Sequence, residues 1–457
     1  MRAEFVTADN MAMLTDLYEL TMAASYFQYR RHDEGTFDLF VRKLPPQRSY
    51  LMFAGLEQAL SYLAGMRFSA DAIRFLRSTK IFAPAFLDYL KTFRFRGTVS
   101  AMPEGTVFFP GEPVLRVTAN IIEAQIVETF LLNTVNVQST IATKASRVVE
   151  AARGRPVVEF GLRRTQGADA GLKAARAAYL AGCTGTSNVL AGQIYGIPIF
   201  GTMAHSFVQS FATELEAFRT FAASFPHGTT LLIDTYDTLQ GARHAVVVAK
   251  ELRRRGCHLG GVRLDSGDLL DLSRGVRALL DREGLHDVKI FASGNLTEAR
   301  VAELVRRGAP IDAFGVGTEM SVSSDAPYLD VVYKMSEVVR AGVRYPTLKL
   351  SAQKQTYPGR KQVYRLERRG RLVADTLGLE RERLPGRPLL ATVMRGGRLV
   401  KPLPPLAAIR RRAARERASL PETLRRLPNA AAPALRISRA LQRIVGTFRA
   451  KLLADEL

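Results

Sequence analysis

The pattern of apolar and polar positions is most regular in the middle of the chain. Six short apolar runs alternate there with helical stretches, and each run ends in small or polar residues: 156–160, 197–201, 229–233, 259–264, 288–292 and 313–316. Buried β runs alternating with helices indicate a parallel sheet that is covered by its helices. An open doubly wound sheet gives the same alternation, but the number of units and their spacing of about 30 residues favour an α/β barrel.

The flanking segments predict a different, mixed α/β structure. Residues 14–29 have the periodicity of a helix, with Thr15 or Asp16 as its N-cap. Residues 120–149 predict a long helix that is interrupted near residues 134–139. The remaining predictions are strands at residues 36–41, 344–351 and 361–367, a turn-rich stretch at 372–392, and one or two surface helices after residue 402.

The charge of the chain is strongly positive and unevenly distributed. Lys and Arg number 65 against 43 Asp and Glu, a net charge of +22. After residue 358 there are roughly 24 basic and roughly 8 acidic residues, and the excess is nearly all arginine. Such a bias is typical of genome composition, and a site for nucleic acid or another acidic partner is the alternative.

Membrane and secretory signals are missing from the sequence as given. No stretch approaches the roughly 18 uninterrupted apolar residues that span a bilayer, and acidic residues interrupt the N-terminal segment. The two cysteines, Cys183 and Cys257, form neither a disulfide framework nor a metal cluster. We therefore expect a cytoplasmic protein without a membrane partner.

The residues that follow the apolar runs are suited to a phosphorylated ligand. Gly294 and Gly317 follow two runs and precede helical stretches, where backbone N–H groups bind phosphate, although either could be a plain βα turn. Arg263, near the end of another run, and Asp265, directly after it, suit a sugar or an anion, with a self-satisfied salt bridge as the alternative. His205 follows a fourth run. Together they favour a phosphorylated sugar or nucleotide over a nucleic-acid backbone.

Strings in these positions carry a resemblance to a known family. The chain resembles the nicotinate phosphoribosyltransferases, type II phosphoribosyltransferases of NAD salvage, over about residues 14–365. The strings, in order, are TDLY at 15–18, FDLFVR at 37–42, EFGLRR at 159–164, GTMAHSF at 201–207, GVRLDSGD at 261–268, SGNL at 293–296 and FGVGT at 314–318. Each string alone is weak evidence, but their order over some 350 residues is specific.

The resemblance implies an irregular α/β barrel with an N-terminal α/β domain that is completed by the chain returning after the barrel. We expect the N-terminal domain at residues 1–125, the barrel at 126–335, the return segment at 336–401 and an Arg-rich tail at 402–457. The sequence is expected to depart from the family after about residue 400.

The resemblance also implies an activity. It is the ATP-coupled transfer of ribose 5-phosphate from phosphoribosyl diphosphate to the ring nitrogen of nicotinate, which gives nicotinate mononucleotide and diphosphate. Mg²⁺ is the implied cofactor, with ligands that the sequence does not identify, and a homodimer with shared active sites is the implied assembly. Nicotinamide or quinolinate phosphoribosyltransferase is an alternative, and a nucleic-acid-binding protein using the basic tail is an alternative of another class.

Family roles carry over to individual residues. His205 resembles the histidine that is transiently phosphorylated, and it is expected to be catalytic together with Arg263 and Asp265. Tyr18, from the other subunit, and Phe160 resemble the two rings that sandwich the pyridine. Thr202 and Arg263 match positions that bind nicotinate.

The phosphorylated substrate has its own set of implied residues. Gly294, Asn295 and Gly317 resemble the site of the 5′-phosphate, Thr318 matches a position that binds the phosphoribosyl group, and Asp265 resembles the ribose contact. The candidates for diphosphate contacts are Arg42, Arg163, Lys349, Ser351 and Lys361.

Ser187 concerns the choice between nicotinate and nicotinamide. In relatives that use nicotinamide, a Gly-Thr-Asp string supplies an Asp that accepts from the amide, and the matching string here ends in Ser187. A carboxylate there would repel nicotinate, whereas a hydroxyl can donate to it. The sequence therefore favours the acid.

Overall fold

The computed structural model describes residues 6–349, 356–427 and 433–455. The chain forms two compact units, one of Met1–Thr140 with Tyr328–Leu457 and one of Ile141–Pro327. The described residues after 401, expected from the sequence as an Arg-rich tail, group with the first unit. The four-part division expected from the sequence stays a prediction.

The first part of the first unit alternates helices with short strands. Its elements are α1 Leu17–Tyr29, β1 Glu34–Val41, β2 Leu51–Met52, α2 Leu56–Gly65, α3 Ala70–Ser78, α4 Pro84–Lys91, β3 Thr98–Ala101, β4 Val107–Phe108, β5 Leu115–Asn120 and α5 Ile121–Ile126. Asp16 is the N-cap of α1, and its carboxylate accepts a hydrogen bond of 2.8 Å from the Thr129 hydroxyl. The predicted N-terminal helix is therefore confirmed, with its start at Leu17.

The second unit contains the alternation that the sequence predicts. After the long helix α6 Glu128–Ala151, which crosses the boundary, its elements are β6 Val157–Glu159, α7 Ala168–Ala181, β7 Gly185–Thr186, α8 Val189–Tyr195, α9 His205–Gln209, α10 Glu214–Ser224, β8 Thr230–Leu232, α11 Thr238–Arg254, β9 Gly261–Leu264, α12 Leu269–Arg282, β10 Lys289–Ala292, α13 Glu298–Arg306, β11 Ala313–Val316 and α14 Thr318–Ser321. The predicted break near residues 134–139 is wrong, because α6 runs through them and the interruption between α5 and α6 is at Val127.

A six-stranded sheet with the order β7-β6-β11-β10-β9-β8 forms the centre of the second unit. All of its neighbouring strands are parallel. No ladder within the described residues joins its outer strands, so the expected closed barrel is not confirmed. The predicted strand at 197–201 is reduced to one isolated bridge between Ile199 and Thr186. Most side chains of these strands are buried, which explains their continuous apolar runs.

The returning chain adds strands to the first unit. Its elements are β12 Val331–Arg340, β13 Val343–Pro346, β14 Lys361–Arg368, β15 Arg371–Leu379, β16 Arg387–Pro388, β17 Ala391–Arg395, β18 Arg398–Leu399, α15 Leu406–Ser419, α16 Glu422–Arg425, β19 Arg436–Ile437 and α17 Arg439–Asp455. A seven-stranded sheet has the order β13-β12-β1-β5-β3-β17-β18, so returning strands form both of its edges. A second sheet has the order β16-β14-β15-β19. The turn-rich prediction for 372–392 is wrong at its start, where β15 lies.

Helix α15 is attached to the first unit by a buried carboxylate. Ile409 and Ala413 are buried, and Glu416 accepts from Arg365 at 2.6 Å and from Arg387 at 3.0 Å. The Arg-rich sequence is therefore packed at this helix, with Arg411 and Arg415 on its exposed side. Among the described helices, none has the length and apolar character that crossing a bilayer requires.

Candidate active site

A cavity of about 580 Å³ lies in the second unit at the carboxyl ends of its parallel strands. Parallel strands bring their carboxyl ends to one edge of a sheet, and ligands of α/β proteins bind there. The lining includes most of the predicted substrate residues: Phe160, Arg163, Ser187, Thr202, Arg263, Asp265, Gly294, Asn295, Gly317 and Thr318. The structure thus gathers side chains and loops that lie far apart in the sequence.

Arg263 is the centre of the polar network in this cavity. Its Nη2 donates to Asp265 Oδ1 at 2.6 Å, its Nε to Ser293 Oγ at 2.8 Å, and its Nη1 to Thr202 Oγ1 at 3.0 Å. The side chain is only 15% exposed. These contacts fix the plane of the guanidinium, so it is positioned before any ligand arrives.

Asp265 is held in its ionised form. Burial acts to raise the pKa of this carboxyl, but the Ser293 hydroxyl, Arg263 and His205 outweigh that effect and leave the pKa below its usual value. The Ser293 hydroxyl donates to Asp265 Oδ1 at 2.5 Å. A carboxylate in this position can accept from a sugar hydroxyl and can stabilise positive charge nearby.

The loop after β10 requires a glycine at position 294. Gly294 has φ of +85°, and a Cβ there would lie 1.8 Å from the carbonyl oxygen of Asp265. Asn295 also has a positive φ, of 45°. Successive backbone N–H groups in such a turn form an anion-binding concavity. Gly317 and Thr318 line the same cavity from the end of β11.

Phe160 supplies an aromatic face to the cavity. Its ring centroid lies 5.6 Å from that of Phe291, and the Arg263 guanidinium carbon lies 5.6 Å from the Phe160 centroid. Phe160 is only partly buried. A flat ring between a cation and solvent is suited to stack on an aromatic anion.

Ser187 lines the cavity just after β7, whereas His205 lies next to the lining but is not part of it. The Ser187 backbone N–H donates to the carbonyl of Glu159 at 2.9 Å, and its side chain faces the cavity. His205 begins α9 directly after the lining residue Ala204, and its Nδ1 lies 3.2 Å from Thr235 Oγ1. Thr235 follows Asp234, whose Oδ2 accepts from the Asp265 N–H at 3.0 Å, so His205 lies close to the strand end that carries Asp265.

The other predicted residues lie in the first unit. Tyr18, in the first turn of α1, is 48% exposed. Arg42 and Lys361 line a separate cavity of about 120 Å³, and the Lys349 backbone N–H donates at 2.9 Å to Thr356, which lines the same cavity. Ser351 lies outside the described residues.

Lys361 is engaged within the protein. Its Nζ lies 2.6 Å from Asp38 Oδ2, 2.6 Å from the Tyr357 carbonyl and 2.8 Å from the Gly359 carbonyl. Burial lowers the pKa of Lys361 and Asp38 partly offsets this effect. Because two carbonyl oxygens accept from the ammonium group and Asp38 pairs with its charge, this arrangement does not favour the expected diphosphate contact. Arg42 has only a loose ion pair, 3.5 Å from Asp330.

Two residues of the site were missed by the sequence reasoning. Ser293 bridges Arg263 and Asp265, and Glu159 lies buried behind Phe160. Both occur in the strings quoted above. A carboxylate within the apolar run 156–160 could have indicated a functional role for Glu159. For Ser293 the sequence offered only its place before Gly294.

Three family models match: the nicotinate phosphoribosyltransferase N-terminal domain at residues 13–136, the nicotinate phosphoribosyltransferase family at 156–363, and the nicotinate phosphoribosyltransferase C-terminal domain at 385–445. A nicotinate phosphoribosyltransferase of Mycobacterium tuberculosis is 51% identical over 91% of this chain and 89% of its own. The chain belongs to the nicotinate phosphoribosyltransferase family.

Further relatives agree with this assignment. The nicotinate phosphoribosyltransferase of Bacillus subtilis is 41% identical over 78% of this chain and 74% of its own. Among solved structures, human nicotinic acid phosphoribosyltransferase has a TM-score of 0.84 and 31% identity, covering 95% of this chain and 99% of its own. A nicotinate-nucleotide pyrophosphorylase of Pyrococcus furiosus has a TM-score of 0.75 and 27% identity, covering 92% and 98%.

The C-terminal match corrects one expectation. The sequence was expected to leave the nicotinate phosphoribosyltransferase family after about residue 400, but the family's C-terminal domain model continues to residue 445. It includes all of α15, whose Glu416 is bonded to Arg365. The resemblance of this segment to the family was hard to see because its many exposed arginines obscure the few buried residues of α15.

Proposed function

We propose that the protein transfers ribose 5-phosphate from phosphoribosyl diphosphate to the ring nitrogen of nicotinate, forming nicotinate mononucleotide and diphosphate in NAD salvage. The observation that carries this proposal is the single cavity that contains an aromatic face, a fixed cation and a phosphate-binding turn. Membership in the family supports the identity of both substrates.

Nicotinate would bind at the Phe160 side of the cavity. Its ring stacks on Phe160, and its carboxylate accepts hydrogen bonds from Arg263 and from the hydroxyls of Thr202 and Ser187. The ring nitrogen is already a nucleophile, so the reaction needs no strong general base. The task of these residues is to point the nitrogen at the anomeric carbon, and orientation of this kind can lower a barrier by several kcal/mol, with about 7–11 kcal/mol as its upper range.

The phosphoribosyl group would bind along the loops after β10 and β11. The backbone at Gly294 and Asn295, together with Gly317 and Thr318, would hold the 5′-phosphate. Asp265 would accept from a ribose hydroxyl and stabilise the positive charge that develops at the anomeric carbon. Arg163, exposed at the rim, would attract the diphosphate.

Mg²⁺ fits the residues beside Asp265. The described residues contain no group of three or more Asp, Glu, His or Cys side chains that could hold a metal alone. However, Asp234 Oδ1 is buried without a partner, while its Oδ2 accepts from the Asp265 N–H at 3.0 Å. Mg²⁺ is commonly held by one or two carboxylates plus substrate phosphates, so Asp234 and Asp265 would hold it. When bound, it would neutralise charge on diphosphate.

We also propose that a second copy of the chain completes the site. Leu14, Leu17 and Tyr18 are exposed around the start of α1, and the face of α8 next to Ser187 exposes Val189 and Ile194. Exposed apolar residues of this kind mark interfaces when they cluster. A homodimer would bring Tyr18 of one copy onto the pyridine of the other, opposite Phe160, and would bring the Arg42 cavity towards the diphosphate.

His205 would couple the reaction to ATP. Its Nδ1 faces the Thr235 hydroxyl at 3.2 Å, and no described protein group is bonded to its Nε2, which leaves Nε2 to accept the phosphoryl group. ATP would give its terminal phosphoryl group to Nε2 and leave as ADP, and water would later release phosphate. Thr235 lies just after β8, an outer strand of the six-stranded sheet, and we propose that an irregular barrel comes closest to closing there.

Turnover of nicotinate with phosphoribosyl diphosphate, with and without ATP, tests this function in the wild type and in His205→Ala. Mass spectrometry of the product mononucleotide distinguishes nicotinate, nicotinamide and quinolinate as substrates. We expect nicotinate mononucleotide, stimulated by ATP only in the wild type. Stimulation that persists in His205→Ala would exclude the coupling role of His205, and no mononucleotide from nicotinate would overturn the function itself.

A further inference from the structure

Glu159, the last residue of β6, is a buried carboxylate without a cation beside it. Its side chain belongs to a residue that is 1% exposed, and no ion pair of Glu159 occurs within the described ranges. A buried charge is costly unless hydrogen bonds compensate it. Three donors do so here: the Gly161 N–H at 2.5 Å, the Thr186 hydroxyl at 2.6 Å and the Ser321 hydroxyl at 2.7 Å.

These donors come from three separate walls of the cavity. Gly161 follows the aromatic residue Phe160, Thr186 precedes Ser187, and Ser321 ends α14, which begins with Thr318. The Glu159 carbonyl also accepts from the Ser187 N–H at 2.9 Å. One residue therefore connects the proposed pyridine site, the proposed specificity position and the proposed phosphoribosyl site.

Glu159 and its three donors, Gly161, Thr186 and Ser321, form a junction that has no spare volume at Gly161. A Cβ on Gly161 would lie 2.0 Å from Ser321 Oγ and 2.3 Å from Ser321 Cβ. The backbone after Phe160 therefore contacts α14 directly, and any displacement of one wall displaces the other. Close packing transmits such shifts because protein interiors do not deform freely.

A carboxylate is the side chain that this junction requires. It accepts on both oxygens, whereas a glutamine amide has two donors on one side. In Glu159→Gln the amide nitrogen would face a hydroxyl or N–H that now donates to the carboxylate. The hydroxyls could rotate, but the Thr186 hydroxyl already accepts from the Asn188 N–H at 3.0 Å and would be left without an acceptor.

We propose that Glu159 is a positioning residue for the reaction, which holds the Phe160, Ser187 and Thr318 walls of the cavity at the spacing that the two substrates require. Glu159 does not line the cavity and so would touch neither substrate. The proposal rests on the function proposed above, because the walls it positions are the walls assigned there to nicotinate and the phosphoribosyl group.

The central test compares Glu159→Gln with Asp312→Asn. Asp312 precedes β11 at the opposite, amino end of the same sheet and accepts from the Ile290 N–H at 2.8 Å. It is more exposed than Glu159 and pairs with Lys289 at 3.4 Å, so it controls for the loss of a carboxylate from this sheet away from the cavity. We expect Glu159→Gln to lower kcat/KM for nicotinate by about 10-fold or more, since a small misplacement can cost up to about 100-fold. We expect Asp312→Asn to change it less than about 2-fold, even if both variants lose similar thermal stability.

A double-mutant cycle separates positioning from general destabilisation. If Glu159 acts through Ser321, Glu159→Gln combined with Ser321→Ala should cost no more in kcat/KM than Glu159→Gln alone. Ser321→Ala alone keeps the Glu159 carboxylate and should lower kcat/KM by a smaller factor than Glu159→Gln. It is also the test variant if Glu159→Gln does not fold. Additive losses in the double mutant would overturn the proposal, and so would a folded Glu159→Gln protein with the wild-type kcat/KM. If Glu159→Gln does not fold, a Ser321→Ala protein with the wild-type kcat/KM would overturn it.

Wild-type turnover distinguishes this failure from failure of the proposed function. If the wild-type protein makes no nicotinate mononucleotide, the function is wrong. If the wild type is active and the Glu159 and Ser321 variants keep its kinetic constants, only the positioning role is wrong.

Discussion

Two arginines on strands of this protein have carboxylate partners but different surroundings. Arg365, on β14 of the first unit, is 1% exposed and donates to Asp375, Glu416 and the Val107 carbonyl. Arg263, on β9 of the second unit, is 15% exposed and donates to one carboxylate and two hydroxyls. The first is enclosed by protein acceptors, and the second is held in place with part of its surface facing a cavity.

The difference separates a structural arginine from a binding one. At Arg365, burial alone would lower the pKa, but Asp375 and the neighbouring Glu112 and Glu416 raise it above its usual value, so the charge is stabilised inside the protein. Arg263 has one carboxylate partner, Asp265, and its two hydroxyl contacts orient the guanidinium without adding negative charge. An arginine that keeps N–H groups at a cavity can still bind an anionic ligand, whereas one enclosed by two carboxylates contributes to folding.

The largest expected effect concerns the structural member of the pair. Arg365→Met would leave Asp375 buried without its cation and Glu416 with Arg387 alone, and breaking a buried ion pair in this way costs about 3–5 kcal/mol. Chemical denaturation should show this loss, while kcat/KM per folded molecule stays near the wild-type value. A stable Arg365→Met protein with impaired turnover would reverse the two roles.

The complementary change is Arg263→Ala, for which we expect activity to fall and stability to change little. Removing a fixed donor from a developing or bound anion costs about 10²–10³-fold, so kcat/KM for nicotinate should fall by that factor. Arg277→Ala is the matched control, because Arg277 donates to the carbonyls of Val288 and Leu285 in the same unit but does not line the active-site cavity. Equal losses in both variants would show that Arg263 has no special role.

A carboxylate added near Arg263 should sharpen the contrast between anionic and neutral ligands. Ser187→Asp places negative charge where the nicotinate carboxylate is proposed to bind, so the ratio of kcat/KM for nicotinate to that for nicotinamide should fall by roughly 10-fold or more. Ser187→Ala, which removes the hydroxyl without adding charge, should lower the ratio less. Unchanged selectivity in Ser187→Asp would remove position 187 from the specificity assignment.

The smallest expected effect tests a carboxyl of the first unit that has no arginine partner. Burial raises the pKa of Glu19 from 4.5 to about 7, with Glu128 adding to the rise and a 2.8 Å hydrogen bond from Gln125 opposing it. A raised folded pKa means that the stabilising protonated form is complete below pH 4.5 and is lost as pH rises through about 7. Glu19→Gln cannot ionise, so its Tm should exceed that of the wild type by about 2–4 °C at pH 8.

The pH profile supplies the control for Glu19→Gln. The difference in Tm should disappear towards pH 5, where the wild-type carboxyl is protonated. If Tm changes with pH in the same way for both proteins over this range, Glu19 does not titrate within it.

The sequence revealed the cavity more fully than the rest of the fold. The places of Arg263, Gly294 and Gly317 were predicted because each lies at the end of a buried apolar run or directly after one, and glycine and charge at such a place are visible in sequence. Strand β7 was missed because two residues, Gly185 and Thr186, carry no periodicity. Contacts of Ser293 and Glu159 could not be predicted, because Arg263 on β9, Thr186 on β7 and Ser321 on α14 are distant in the chain and only the tertiary fold brings them together.

The surroundings of Arg263 and Arg365 could not be predicted from the sequence either. Nothing in the local sequence distinguishes Arg263 from Arg365, since both lie on strands with an acidic residue near in the chain. Their different surroundings follow from tertiary packing, above all from Glu416 of α15 reaching Arg365.

The most direct measurement is a crystal structure of the protein with nicotinate mononucleotide. We predict the pyridine ring on Phe160, its carboxylate on Arg263 and Thr202, and the 5′-phosphate at the backbone of Gly294 and Gly317. A mononucleotide bound elsewhere, with the Arg263 cavity occupied only by solvent, would contradict the assignment of this cavity as the active site.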